Sequence, residues 1–237
     1  MKTILVNGLS REQRIAVLDG KELIGIKLLS AEKESLVGNI YAGRIEKIVP
    51  GMDAAFVYFG QERNGFIRKE DLPAYQRANN PAIPINQLAT QGEKLLVQVK
   101  KDGKEHKGAS LSGGVEIASP ELVYMPEQHY ISLSKKFTPE ERKEWKETAE
   151  MRCRDNEGML IRTDMKKRDE RFFVELLDRS RAVYRNLQAS LKGAKPGALL
   201  YSENRLLKMV RELMKQGEGG DLYIDSFPLY EELKGSA

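Results

Sequence analysis

Three groups of side chains in this 237-residue chain have the types and spacing to do chemistry. The first lies in NIYAGRIEKIVPGMDAAFVYFGQERNGFIRKEDL, residues 39–71, where Phe56 and Phe66 sit close to Arg44, Arg63 and Lys69. Aromatic rings beside cations can stack unpaired bases while the cations track phosphates, each stacked base being worth roughly 1–3 kcal/mol. The second is Arg162-Thr163 in GMLIRTDMKK. Arginine offers a planar fork of donors and threonine a hydroxyl, a pair suited to a terminal phosphate; a lone pair of this kind also reads as surface. The third is carboxylate: Asp221 and Asp225 flank a strand pattern at i and i+4, and Asp164, Asp169 and Glu170 precede a helical one. Such acids can hold a metal for hydrolysis, but acids also belong at helix starts and at solvated strand ends, so neither set is assigned as a metal site.

The totals narrow the classes. With 41% hydrophobic residues the chain can bury a core, and a net charge of +4, from 39 basic and 35 acidic residues, makes any basic surface local. A sole cysteine, Cys153, excludes an internal disulfide and any multi-cysteine metal site. It is read as an inert thiol in a reducing, cytoplasmic setting. His106 and His129, the only histidines, are read as surface residues. No window approaches the length of a membrane span, so no membrane partner is expected.

The elements that must position these groups follow from periodicity. Short strands are predicted at 3–6, 13–19 and 22–28, the last two joined at Asp19-Gly20-Lys21. Residues 37–111 hold several glycine-punctuated strands, the pattern of a five-strand OB-type barrel. Within 54–59, Ala54, Phe56 and Tyr58 share one face and Ala55, Val57 and Phe59 the other; strand aromatics are mostly core, so either face can be the buried one. Lys100, Lys101, Lys104 and Lys107 add charge against only Asp102 and Glu105, although a charged turn is usually just solvated. The proline-rich segment 73–93 is predicted as a long exposed loop. A helix should follow Thr138, with Pro139 and Glu141 completing a capping box and Gly158 after its end. Trp145 should pack that helix. A strand at 159–163 precedes a long helix carrying Phe173, Leu177, Tyr184, Leu187 and Leu191, closed by Gly193 and Pro196. ALLYS and DLYID read as strands around a helix capped by Ser202, with no closing element after the last strand. The fold class is α+β, and the carboxyl terminus reads as an interruption.

The collinear order VGNIYAGRIEKIVPGMDAAFVYFGQERNGFI, GEKLLVQVKKDGKEHKGASLS, LVYMP, GMLIRT and DLYID resembles the amino-terminal part of the ribonuclease E/G family of bacterial endoribonucleases, from residue 1 to about 234. The resemblance implies an OB-fold barrel at 37–111 inserted in a ribonuclease H-like subdomain formed by 1–36 and 196–237. Residues 112–195 become a mixed α/β sensor of the RNA 5′ end. It implies that Phe56, Phe66, Lys101 and Lys107 bind RNA, with Val57 and its neighbours in the core. Arg162 and Thr163 would bind a 5′-monophosphate with help from Val123. Ser119 stands where the family commonly has glycine, and so narrows the pocket or adds a donor. Lys135 and Lys136 would assist electrostatically.

The expected partner is single-stranded RNA, preferably 5′-monophosphorylated, in RNA processing and decay. The family's magnesium-binding catalytic aspartates and its zinc-linking cysteines lie beyond the region covered, so no catalytic residue, metal or other cofactor is assigned within the chain, and magnesium is expected of the full-length enzyme. Oligomerisation of that enzyme is open. Two further readings stand beside this one: a non-catalytic OB-fold RNA-binding protein, and a self-contained hydrolase using the carboxylates present, which ranks last.

Overall fold

The computed structural model describes residues 2–10, 12–29, 35–78, 80–104, 106–154, 156–202, 204–216 and 220–234. In chain order, β1 (Lys2–Asn7), β2 (Gln13–Asp19) and β3 (Glu22–Leu29) lead to β4 (Ile40–Val49), β5 (Ala54–Tyr58) and β6 (Gly65–Arg68). After α1 (Pro73–Ala78) come β7 (Lys94–Lys101), β8 (Ser110–Ser112), β9 (Ile117–Ala118), β10 (Leu122–Met125) and β11 (Ile131–Leu133). Then follow α2 (Pro139–Arg152), β12 (Gly158–Ile161), α3 (Glu170–Gly193), β13 (Leu199–Tyr201), α4 (Arg205–Gln216), β14 (Gly220–Ile224) and α5 (Phe227–Lys234). The chain divides into two units, one made of residues 1–35 with 203–237, the other of residues 36–202 inserted between them.

In the discontinuous unit the sheet order is β14-β1-β2-β3. Strands β1, β2 and β3 form an antiparallel meander, and β14 joins β1 in parallel. Ile4, Val6 and Ile15 pack on Leu206, Leu207 and Val210 of α4 and on Leu233 of α5. Helix α4 is capped by Asn204, whose Oδ1 accepts from the Leu207 N–H at 3.2 Å. Ser202, the cap expected from sequence, instead donates its hydroxyl to Asn39 Oδ1 at 3.0 Å, because the helix starts two residues later than the polar signal suggests. Helix α5 also lies where no element was expected after the DLYID strand: eight residues are too few for periodicity to declare themselves.

The larger unit holds the barrel. Strands run β4-β5-β6-β8-β7, and β7 pairs back onto β4 to close the ring; β6 and β8 are parallel, the other barrel pairs antiparallel. This is the five-strand Greek-key order of an OB-like barrel. Its interior is filled by Ile45, Ala55, Val57, Phe59, Ile67, Val97, Val99 and Leu111, all 0–1% exposed. Each large apolar side chain buried there contributes about 1.5–3 kcal/mol relative to exposure. Gly65 is required by that packing: a Cβ there would meet Leu111 Cδ1 at 2.4 Å.

Segment 73–93 is not a structureless exposed loop. Pro73 opens α1, where its missing N–H costs no helical bond, and a 3-10 turn at Ile85–Gln87 follows Pro84. Ile85, Leu88 and Ala89 are buried against the barrel. Pro73 and Pro84 mark the starts of short helices, and the apolar residues after Pro84 supply the packing that propensity alone does not reveal.

A second sheet, β11-β12-β10-β9, carries α2 and α3. Thr138 caps α2 in a reciprocal box: Glu141 N–H donates to its Oγ1 at 3.2 Å, and Thr138 N–H donates to Glu141 Oε2 at 2.7 Å. The helix ends at Arg152 with Cys153 extended beyond it. Gly158 therefore lies inside β12 rather than at the helix end, and a Cβ there would meet Gln128 O at 2.2 Å. Asp169 caps α3 by accepting from Phe172 N–H at 2.8 Å. Lys94 Nζ donates to Lys192 O and Ala194 O, both 3.0 Å away, complementing the negative end of α3. Trp145 and Phe173 meet edge-on at 5.8 Å, which binds α2 to α3.

Candidate functional site

The first candidate surface is built by strand pairing. Val57 is fully buried, so closure of the barrel turns the other face of β5 outward, and Phe56 is 36% exposed. Phe56 is the register partner of Phe66 on β6, with ring centroids 5.9 Å apart and planes at 66°. Phe66 is half-buried. Ala54, which shares the outward side of the strand by alternation, is nonetheless covered, and Tyr58 lies beneath Arg44 at 5.8 Å from the guanidinium. The exposed aromatic surface is therefore the Phe56–Phe66 pair rather than the whole strand face.

The cations divide into two groups. Lys69, close to Phe66 in sequence, is 8% exposed and donates to Asp53 Oδ2 at 3.0 Å and Pro81 O at 3.4 Å. It pins the turn between β4 and β5, where Asp53 is held at φ 46°, and is not a surface contact. Arg44 is paired with Glu46 at 2.8 Å, and Lys100 with Asp71 at 2.8 Å. Lys101 and Lys107 are exposed and form no ion pair among the described residues. Lys101 is the register partner of Ser110, which is itself the partner of Phe66. Lys107 belongs to a tight turn in which its N–H donates to Lys104 O at 2.7 Å; two residues on, Ala109 O accepts from Phe66 N–H at 2.8 Å. Both lysines are thus brought to the Phe66 side of the aromatic pair. Lys47, which the sequence reading passes over, is the register partner of Phe56 on the opposite side.

The second candidate lies where β12 ends. Arg162 N–H donates to Glu121 O at 2.8 Å, and its guanidinium NH1 donates to Ser119 O at 3.0 Å. That engagement spends one of five donors, and the side chain remains exposed. Thr163 Oγ1 and Ser134 Oγ are 2.9 Å apart. The Ser119 hydroxyl is engaged in its own turn: its Oγ accepts from Leu122 N–H at 3.0 Å and Glu121 N–H at 3.3 Å, and lies 3.1 Å from Leu122 O. Val123, on β10 opposite Leu160, is 5% exposed.

Much of the positive charge around Arg162 is neutralised internally. Lys166 binds Glu141 at 2.5 Å, and its hydrogen bond, aided by the Thr138 N–H, holds the Glu141 carboxyl below its ordinary range. Arg168 lies over Phe172 at 4.3 Å and pairs at 3.4 Å with Glu121, itself buried. Lys135, Lys136 and Lys167 remain exposed.

Three of the carboxylates, Asp225, Asp169 and Glu170, have structural partners. Asp225 accepts from Asn7 Nδ2 at 2.6 Å and Gly8 N–H at 2.7 Å. Asp169 caps α3, and Glu170 pairs with Arg152 at 2.8 Å. Among the described residues no three His, Cys, Asp or Glu side chains converge as a metal site, and no helix is long and apolar enough to cross a membrane.

Behind the second sheet is a buried polar network that the sequence reading missed. Glu157 accepts from Arg181 at 2.6 and 2.9 Å, from the Tyr124 hydroxyl at 2.8 Å and from Arg154 N–H at 2.9 Å. Burial pushes the Glu157 carboxyl up, but these hydrogen bonds outweigh it and hold it below the ordinary value. Burial, reinforced by Glu157, raises the Tyr124 hydroxyl well above the ordinary tyrosine range. The only sequence signal was a helix-facing arginine 24 residues from its partner.

Comparison with known proteins matches residues 116–237 to the family described as Ribonuclease E/G. Ribonuclease G of Escherichia coli (strain K12) is 29% identical over 238 residues, covering 97% of this chain and 49% of its own length. Ribonuclease E of Haemophilus influenzae is 30% identical over 249 residues, 99% of this chain and 26% of its own. Ribonuclease E of Buchnera aphidicola is 27% identical over 234 residues, 95% and 24% respectively. The chain thus spans about half the length of the ribonuclease G relative and about a quarter of the ribonuclease E relatives.

Proposed function

The chain belongs to the ribonuclease E/G family, and on that premise we propose that it binds single-stranded RNA on the outside of its barrel and recognises a 5′-monophosphate beside Arg162, as the amino-terminal part of an RNA-cleaving enzyme of cytoplasmic RNA processing and decay. The observation that carries the reading is the Phe56–Phe66 pair. It lies on the second and third strands of an OB-like barrel, the face such barrels use for oligonucleotides, with Lys101 and Lys107 beside it. Bases stack on the rings, and the lysines meet the phosphate backbone.

Under the same proposal, residues 112–195 sense the 5′ end, and residues 1–36 with 196–237 form the ribonuclease H-like subdomain. The donors that Arg162 keeps free and the Thr163 hydroxyl can meet a terminal phosphate. Because Lys166 and Arg168 are already neutralised, the pocket suits the smaller charge of a monophosphate better than that of a triphosphate. Under the same proposal magnesium-dependent hydrolysis belongs to the whole enzyme; among the described residues no three His, Cys, Asp or Glu side chains converge as a metal site, and Asp225 has both oxygens engaged by Asn7 and Gly8.

The second reading, a non-catalytic OB-fold RNA-binding protein without end discrimination, draws on Ser119, whose hydroxyl is consumed by its own turn. Fluorescence anisotropy separates the two. Under the first, RNA bearing a 5′-monophosphate binds more tightly than the same RNA with a 5′-hydroxyl, and Arg162→Ala erases the difference; equal affinities, unaltered by the substitution, leave the second reading.

A further inference from the structure

Strand register places five residues in one row across the outside of the barrel: Lys47 opposite Phe56, Phe56 opposite Phe66, Phe66 opposite Ser110, and Ser110 opposite Lys101. Residues opposed in a sheet project to the same side. The inward neighbours agree, since Ile45 pairs with Val57 and Ile67 with Leu111, and all four are buried. Two bulges create the row. One, between Ile45 and Lys47, shifts β4 so that Lys47 rather than Glu46 meets Phe56; the other, between Val99 and Lys101, does the same for Lys101. A bulge re-aims a side chain at the cost of ladder bonds, and here both re-aim lysines to the ends of the aromatic pair.

Lys47 is exposed and has no ion-pair partner among the described residues, whereas its neighbour Arg44 is held by Glu46. We infer that Lys47 is a further RNA-contacting residue, binding a backbone phosphate on the β4 side of the aromatic pair, so that the bound strand crosses β4, β5 and β6 toward Lys101 rather than running along them. With strands about 4.8 Å apart, Lys47 lies about one strand spacing from Phe56, and Lys101 about two from Phe66 around the curve of the barrel. A path along the strands would use Arg68 instead, which is exposed and follows Phe66 by two residues on β6. This inference rests on the barrel face being the RNA platform.

The test is the salt dependence of binding of the full chain to an unstructured, 5′-hydroxyl, uridine-rich RNA, read by fluorescence anisotropy. For single strands each phosphate contact contributes about 0.7 to the slope of log K against log salt, so Lys47→Ala and Lys101→Ala should each lower the slope by about that amount. Phe56→Ala should weaken binding with the slope unchanged. Lys47→Arg should retain the slope, and Lys143→Ala, on the exposed side of α2, should leave it unaltered. An unchanged slope for Lys47→Ala beside a weakened Phe56→Ala overturns the inference while the platform stands, as does a slope loss carried by Arg68→Ala in its place. A slope loss as large in Lys143→Ala also overturns it, because net charge would then be the cause. Unchanged binding in Phe56→Ala and Lys101→Ala removes the platform itself and the inference with it.

Discussion

The Phe56 ring meets Phe66 edge-on across β5 and β6, 5.9 Å between centroids, while Val57, the very next residue, is wholly enclosed. One peptide unit separates the surface of the barrel from its core. That relationship gives the two positions opposite sensitivities to substitution.

Phe56→Ala should weaken binding of single-stranded RNA by roughly 1–3 kcal/mol, the value of a lost stacking contact, with a small change in thermal midpoint. Val57→Ala should lower stability by about 1–3 kcal/mol through loss of buried methyl groups. Anisotropy and thermal melts of both variants check this. A large loss of stability in Phe56→Ala would assign that ring to the core.

The Glu157–Arg181 pair is enclosed on both sides, with side chains 8% and 11% exposed. Removing one partner leaves the other buried and uncompensated, so Arg181→Ala should cost on the order of 3–5 kcal/mol. Chemical denaturation measures it, and a loss within experimental error would place the pair at the solvent surface.

The same carboxyl sets an acid limit. Its folded value is depressed from the ordinary 4.5, so its stabilisation is fully present above that pH and is lost as pH falls through the folded value. The wild-type chain should therefore lose stability more steeply below about pH 4.5 than Glu157→Gln, which has no proton to take up. Parallel slopes in urea unfolding across that window would assign the acid sensitivity elsewhere.

Thr138→Ala removes one half of the capping box of α2 and should destabilise the chain by about 1 kcal/mol, whereas Thr138→Ser, which keeps the oxygen, should be nearly silent. Hydrogen exchange at the first turn of α2 should rise in the alanine variant alone.

Local chemistry was legible in the residues themselves. Thr138, Pro139 and Glu141 specify the start of α2 by hydrogen bonds that span three residues, and the glycine-punctuated strands from 37 to 111 carry the alternation of a small barrel. Where a signal depended on distant packing, it misled. Ser202 and Asn204 are equally good caps in isolation, and the helix that begins at Arg205 selects Asn204. The prolines of 73–93 say loop until the barrel buries Ile85 and Leu88.

The sequence by itself determined where α2 starts and the strand pattern of 37–111, and that Phe56 and Phe66 lie on successive strands near lysines. Only the tertiary structure decided which face of β5 is outside and that Lys47 and Lys101 share one row with the aromatic pair. Alternation along a strand is symmetric between its faces when both carry apolar residues. Barrel closure breaks that symmetry by enclosing Val57 and Phe59, and the two bulges, which arise from pairing between strands, fix which lysines lie beside the exposed rings.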